Sequence, residues 1–340
     1  MEYSTYRTNQ GPSPTADRVE PDIIGDIHGC ASDLLDLLAV LGYEKDSWTG
    51  AFACPEGDRK VIFVGDLVDR GPQIRRTLEI AKGMVDAGSA LIVMGNHEFN
   101  AVAYATRDPE DPDRWLRKHT ANNDHQHLAF LEQLSRRERA MYVAWFKTLP
   151  LFLDLAEIRV VHACWHEPSI TRLAALLGGD RFGSLTDFAA ASATPERRGE
   201  LYRLIETTLK GPEVAVEELG LPAFHDPKSE KDRHHARIAW WNSQARTIGD
   251  LVVVPDQQWR AENAATLAEP IPDGYQDYAY SSSVPVFYGH YWRSPTPEEH
   301  LDYTATTACV DFSAVRGGHL MAYRWNEGET TINPDNYVRA

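Results

Sequence analysis

No apolar run in the sequence approaches the roughly 20 residues that cross a bilayer, which argues against a membrane-spanning helix. The start is also poor in apolar residues. Met1 to Glu20 is polar, carries Pro12 and Pro14, and lacks the hydrophobic core of a secretion signal. Residues 1–20 therefore read as a loose arm on a cytoplasmic protein. Cysteine is scarce: Cys30, Cys54, Cys164 and Cys309 show no zinc-type pairing, and a disulfide scaffold is not expected at this size. Cys30 and Cys164 each follow a histidine by two residues, so they read either as small buried thiols or as oxidation-sensitive neighbours of a site. Positive charge is in deficit, 34 Lys and Arg against 50 Asp and Glu, for a net charge of −16. That balance argues against a nucleic-acid duplex as partner. It leaves room for a small phosphorylated substrate, because bound ions and a few arginines set the field inside a site.

What the chain does have is enough length for a large core. Its 340 residues, 43% hydrophobic and 25% charged, suit one domain over 21–340 with a sizeable insertion. The first hundred residues repeat one pattern three times. Val61-Ile62-Phe63-Val64 reads as a buried strand and runs into Gly65-Asp66-Leu67-Val68-Asp69-Arg70-Gly71. Ile23-Ile24 runs into Gly25-Asp26-Ile27-His28-Gly29, and Leu91-Ile92-Val93-Met94 into Gly95-Asn96-His97-Glu98. In each, a short apolar strand ends on glycine and is followed by oxygen and nitrogen donors that suit borderline divalent ions. The helices predicted between them, Ala31–Leu41 and about Gln73–Ala87, complete a βαβ rhythm and a parallel sheet.

Farther along, the pattern predicts a helix from Glu98 to Thr106, a solvated acidic loop over Arg107–Gln126, and one long amphipathic helix over Leu128–Leu149. His119, His125 and His127 read as surface or capping residues. A hairpin, Leu151–Asp154 with Ile158–Val161, leads into His162-Ala163-Cys164-Trp165, and a later strand from Val284 leads into Gly289-His290-Tyr291-Trp292. Between these two histidines, residues 167–283 read as a mostly helical insertion that caps the crevice and selects substrates. Within it, Arg237 and Lys210 either reach a phosphate or serve as surface charge. Short strands, Thr307–Asp311 and His319–Trp325, precede a polar tail, and Asp311, Arg316 and His319 read as structural.

The blocks GD-x-HG, GD-x-x-DRG and GNHE, followed by the strand-end His162 and the Gly289-His290 pair, resemble the metallophosphoesterase (calcineurin-like) superfamily and, within it, the phosphoprotein-phosphatase family. The resemblance implies an α/β fold, a central β-sandwich flanked by helices in α-β-β-α layers. It implies two divalent metal ions, Mn²⁺ above Fe or Zn²⁺. One would be held by Asp26, His28 and Asp66; the other by the bridging Asp66 with Asn96, His162 and His290. It further implies hydrolysis by a water activated between the ions, roughly 3.5–4 Å apart, with no phosphoenzyme. Arg70 would clamp phosphoryl oxygens, His97 would protonate the leaving oxygen as general acid, and Asp69 would orient His97.

Two departures separate the chain from eukaryotic-type protein Ser/Thr phosphatases. Met94 stands where they carry an arginine, and Ala163-Cys164-Trp165 stands where they carry glycines. GDLVDRGP and the closing Gly317-Gly318-His319-Leu320 look more like the bacterial branch. That branch holds the symmetrical diadenosine tetraphosphatases and the phosphatase module of bacterial polynucleotide kinase–phosphatase. The expectation is a phosphoesterase acting on phosphomonoester or phosphoanhydride bonds of a small soluble substrate, such as a nucleotide or dinucleoside polyphosphate. The alternatives are a protein serine/threonine phosphatase, whose arm and acidic loop would dock a protein partner, and a non-catalytic scaffold.

Overall fold

A computed structural model describes residues 20–55, 59–192, 198–226, 231–293 and 303–340. The arm expected at 1–20 lies, apart from Glu20, outside the described residues.

Alternation along the strands builds the sandwich. In the strand Lys60–Phe63 and the residue after it, Ile62 and Val64 point one way, Val61 and Phe63 the other, and all four are fully buried. Ile62 and Val64 join Ile23, Val93, Val160, Phe287 and Tyr323 in a core shared by two sheets. Val61 and Phe63 instead join Ile24 and Ile92 against Leu34, Leu37, Leu78 and Met84 of the helices Ala31–Val40 and Ile74–Asp86. Burial on both faces explains why these strands are apolar throughout.

The first sheet runs in the order Asp311–Phe312, His319–Arg324, Pro21–Ile24, Lys60–Phe63, Ala90–Ile92, with Tyr337–Arg339 also on His319–Arg324. Its last three strands are parallel. The second sheet is Thr307–Cys309, Val286–Tyr288, Arg159–Val161, Phe152–Asp154, and its first three strands are parallel. These are the expected layers, and the loops that follow the parallel strands of both sheets carry the donor blocks.

The structure differs from expectation in four places. The span 128–149 is two helices, Leu128–Gln133 and Arg136–Phe146, because Ser135 and Glu138 form a capping box that starts the second. The loop 107–126 ends in a helix, Ala121–Gln126, capped by Thr120. The polar tail contains the strand Tyr337–Arg339. The insertion is rich in helix, as expected, but also contains a sheet that the pattern did not announce. Beside the helices Glu167–Leu177 and Glu200–Lys210 it holds a three-stranded sheet, Glu213–Ala215, His235–Ile238 and Val252–Val253, around its own core of Val214, Ile238, Leu251 and Trp259. No described helix is long and apolar enough to cross a membrane.

Candidate active site

The first and second donor blocks and the Gly289-His290 pair pass through backbone that ordinary residues avoid. Gly65 has φ +97°, and a Cβ built there would lie 2.4 Å from the amide nitrogen of Gly95. The two glycines therefore let the second and third blocks touch backbone to backbone. His28, Asp66, Asp69, Arg70 and His290 themselves adopt φ between +45° and +72°. That much left-handed backbone among non-glycine residues is a strain that functional sites commonly store.

The carboxylate of Asp66, 1% exposed, lies at the centre. Its Oδ2 is 3.4 Å from His28 Nε2 and its Oδ1 is 3.5 Å from His162 Nε2. Glu98, fully buried, fixes the turn beneath it by accepting from the amides of Asp66 (2.8 Å), Leu67 (2.8 Å) and Gly95 (3.0 Å). Asn96 Oδ1 lies 3.0 Å from His162 Nε2 and 2.8 Å from His290 Nδ1. Asp26 accepts from the backbone N–H of His290, at 3.3 Å to Oδ1 and 3.2 Å to Oδ2. A Cβ at Gly289 would lie 2.1 Å from Asp26 Oδ1, so only glycine fits there. The structure thus brings Asp26, His28, Asp66, Asn96, His162 and His290 together.

The donor chemistry fits divalent ions. His28 and His162 donate Nδ1–H to the carbonyls of Val68 (2.7 Å) and Val64 (2.8 Å), which leaves Nε2 of each as a lone pair. In both cases that lone pair faces an Asp66 oxygen, and His162 also faces Asn96 Oδ1. Electron-rich atoms aimed at one another repel unless a cation lies among them, and the backbone carbonyls behind the rings are the usual orienting partners of metal-binding imidazoles. Burial holds the pKa of His28, His162 and His290 below the ordinary range, keeping the rings neutral. Burial pushes Asp26 up, and the nearby carboxylates of Asp311 and Asp66 push it further. Burial also works against ionised Asp66, yet the groups that face it, the Arg70 guanidinium among them, pull its pKa down to about 2. Donor atoms of His28, Asp66 and His97 fall within 4.8 Å of one another, as do those of Asp66, His162 and His290. His97, expected only as an acid, therefore stands close enough to take part in binding.

Beside this centre, His97 Nδ1 is 2.6 Å from Asp69 Oδ2. Arg70, exposed to solvent, sets its guanidinium against His28 Nε2 and, at 3.0 Å, His97 Nε2, and stacks 4.1 Å from the Trp292 ring centre. Arg237, from the insertion, reaches His290 Nε2 and the Lys210 carbonyl. Lys210 commits its ammonium to Glu206 on its own helix. Three further residues were not anticipated. His127, expected at the surface, is buried with Nδ1 2.7 Å from Asp69 Oδ1. Asp311, expected to be structural, is buried close enough to raise Asp26. Trp292 stacks between Arg70 and Arg316. No spacing in the sequence signals the Asp69–His127 pairing, which spans 58 positions.

The calcineurin-like phosphoesterase family matches residues 22–187. A bis(5′-nucleosyl)-tetraphosphatase PrpE (asymmetrical) of Halalkalibacterium halodurans is 33% identical over 189 residues, 52% of this chain and 70% of that protein. The chain belongs to the calcineurin-like phosphoesterase family. The protein of the same name from Geobacillus sp. (strain WCH70) is 54% identical over 76 residues, 22% of this chain and 30% of its own length. The chain thus spans 30% of one such relative and 70% of the other. Among solved structures, a cold-active protein tyrosine phosphatase aligns with TM-score 0.45 and 16% identity over 89% of this chain and 73% of that one, a likeness too loose to build on.

Proposed function

We propose that the chain is a metal-dependent phosphoesterase that hydrolyses phosphomonoester or phosphoanhydride bonds of small soluble substrates, dinucleoside polyphosphates among them. The observation that carries this reading is the Asp66 carboxylate, one oxygen facing the His28 lone pair and the other facing that of His162. Two divalent ions, held by Asp26, His28 and Asp66 and by Asp66, Asn96, His162 and His290, would supply water activation and charge neutralisation there. We favour Mn²⁺ over Fe or Zn²⁺ for a donor set of mixed oxygen and nitrogen.

The remaining chemistry belongs to the chain's own residues. Arg70, a cation open to solvent beside the imidazoles, receives two phosphoryl oxygens in its planar fork. Arg237 adds a second cation from the insertion, and Lys210 holds it through its carbonyl. The water oxygen, its proton released to solvent, forms the new P–O bond while the leaving P–O bond breaks. Its electron pair stays on the leaving oxygen, which takes the proton from His97. Asp69 holds His97 in place through Nδ1. We read 21–340 as one phosphoesterase domain in which 167–283 selects substrates, with Arg237 as its reach into the site. Free thiols at all four cysteines suit a reducing compartment, and the cytoplasm is the location we propose.

The relatives' name shifts the expected cleavage from symmetrical to asymmetrical. Purified chain, stripped of metal and resupplied with Mn²⁺, Fe²⁺ or Zn²⁺, is to be assayed on p-nitrophenyl phosphate, diadenosine tetraphosphate and a phosphopeptide. ATP and AMP from the tetraphosphate are expected, rather than two ADP. Hydrolysis of the phosphopeptide alone would favour a protein phosphatase, and no hydrolysis with any ion would leave only a scaffold.

A further inference from the structure

A narrow polar cleft, open to solvent, lies against the flank of His97. Its walls include Asp69, His97, Asn100, Arg117, Asn123 and Gln126. Arg117 is the charged group here that the chemistry above leaves unused. Its Nη1 donates to Asn100 Oδ1 at 2.8 Å and its Nη2 to Gln126 Oε1 at 2.8 Å. Both acceptors are neutral amides, and among the described residues Arg117 makes no ion pair. The carboxylates whose fields reach it are already committed, Asp69 to His97 and His127, and Glu206 to Lys210. A half-buried guanidinium with only neutral partners is poorly compensated, and an arriving anion would relieve it. The amides suit that exchange. Gln126 is exposed and can swing out, and an Asn or Gln that accepts from a guanidinium can turn to donate to a phosphate oxygen.

The position of the cleft says which anion. If His97 protonates the leaving oxygen, the rest of the leaving group extends along His97. In a phosphoanhydride, the next atom beyond that oxygen is another phosphorus with anionic oxygens; in a monoester it is carbon. Resting on the phosphoesterase reading above, we infer that Arg117, with Asn100 and Gln126, forms a subsite for the leaving-group phosphate, so that the enzyme selects phosphoanhydrides over monoesters.

The test is the ratio of kcat/KM on diadenosine tetraphosphate to kcat/KM on p-nitrophenyl phosphate, with the same metal. Arg117→Met is expected to lower this ratio roughly 10- to 100-fold, the range of a lost charge-assisted contact, mainly through KM on the tetraphosphate. Arg117→Lys should restore part of it. Gln126→Glu, an exposed change that keeps the fold, places a carboxylate on the guanidinium and should lower the ratio as well. A ratio within twofold of wild type in both Arg117→Met and Gln126→Glu overturns the inference. So does an equal fall on both substrates, which would mark Arg117 as a tie between helices. Wild-type chain inert on both substrates brings down the phosphoesterase reading itself, and this inference with it.

Discussion

His127 Nδ1 lies 2.7 Å from Asp69 Oδ1, while His97 Nδ1 lies 2.6 Å from Asp69 Oδ2, so one carboxylate is gripped by two imidazoles. Both interactions pull the Asp69 pKa below the ordinary carboxylate range despite burial. His127 is itself wedged against Phe130 and Tyr104, with ring centres 4.7 and 5.1 Å away. The carboxylate that orients His97 is therefore anchored from the far side. His127→Ala should lower kcat on poor leaving groups by about tenfold, the worth of one buried charge-assisted hydrogen bond, with less effect on p-nitrophenyl phosphate. An equal fall in kcat on both kinds of leaving group would reduce His127 to packing.

Gly289→Ala places a methyl group 2.1 Å from Asp26 Oδ1 and 2.9 Å from Val64 Cγ2. Neither neighbour can retreat, since both are buried, Asp26 in the first donor loop and Val64 at the end of the strand Lys60–Phe63. The variant should bind less metal per chain, measured by mass spectrometry of metal content, and lose activity by a factor of about 100 or more. Full metal content with full activity would remove Asp26 from the centre.

Glu98→Gln keeps the shape of a side chain that accepts three amide N–H groups but turns one acceptor into a donor. At least one buried N–H of the Asp66 turn then faces another N–H. The expected cost is about 2–4 kcal/mol, read as a lower urea midpoint with an unchanged slope. The same midpoint in variant and wild type would mean that the turn is held by other contacts.

Cys30 and Cys164 flank the centre, yet burial pushes the Cys30 thiol up to about 11 and also holds Cys164 well above the ordinary thiol range. At pH 8, three units below, about one Cys30 in a thousand is thiolate. Raising the pH toward 11 exposes more of the reactive form. Iodoacetamide at pH 8 should label Cys30 slowly in the native chain, faster as pH rises, and Cys164 only after denaturation. Rapid modification of Cys30 at pH 8 with loss of activity would make the site a redox sensor after all.

The parts of the centre that the sequence makes legible are those written locally. A buried strand, a glycine and a donor side chain occur within a few positions, and the structure adds only that the loops meet. The Ser135 and Glu138 pair was equally local, but the amphipathic run across it reads as one helix and conceals the break. His127 and Asp311 were hidden for a different reason. Each acts through a contact made across the fold, and an isolated polar residue in a turn or strand carries no sign of which carboxylate it will meet. The insertion's sheet escaped because its strands are two to four residues long and mix polar with apolar side chains, too short for a period to show.

Asp26 and the backbone of His290 meet across 264 positions, with one loop coming from each sheet. During synthesis, then, the chain must extend through His290 before all six donor side chains can meet. A nascent chain released early would carry Asp26, His28, Asp66 and Asn96 without their late partners. On the function proposed above, such a fragment, lacking His162 and His290, would hold metal weakly and leave phosphate esters uncut.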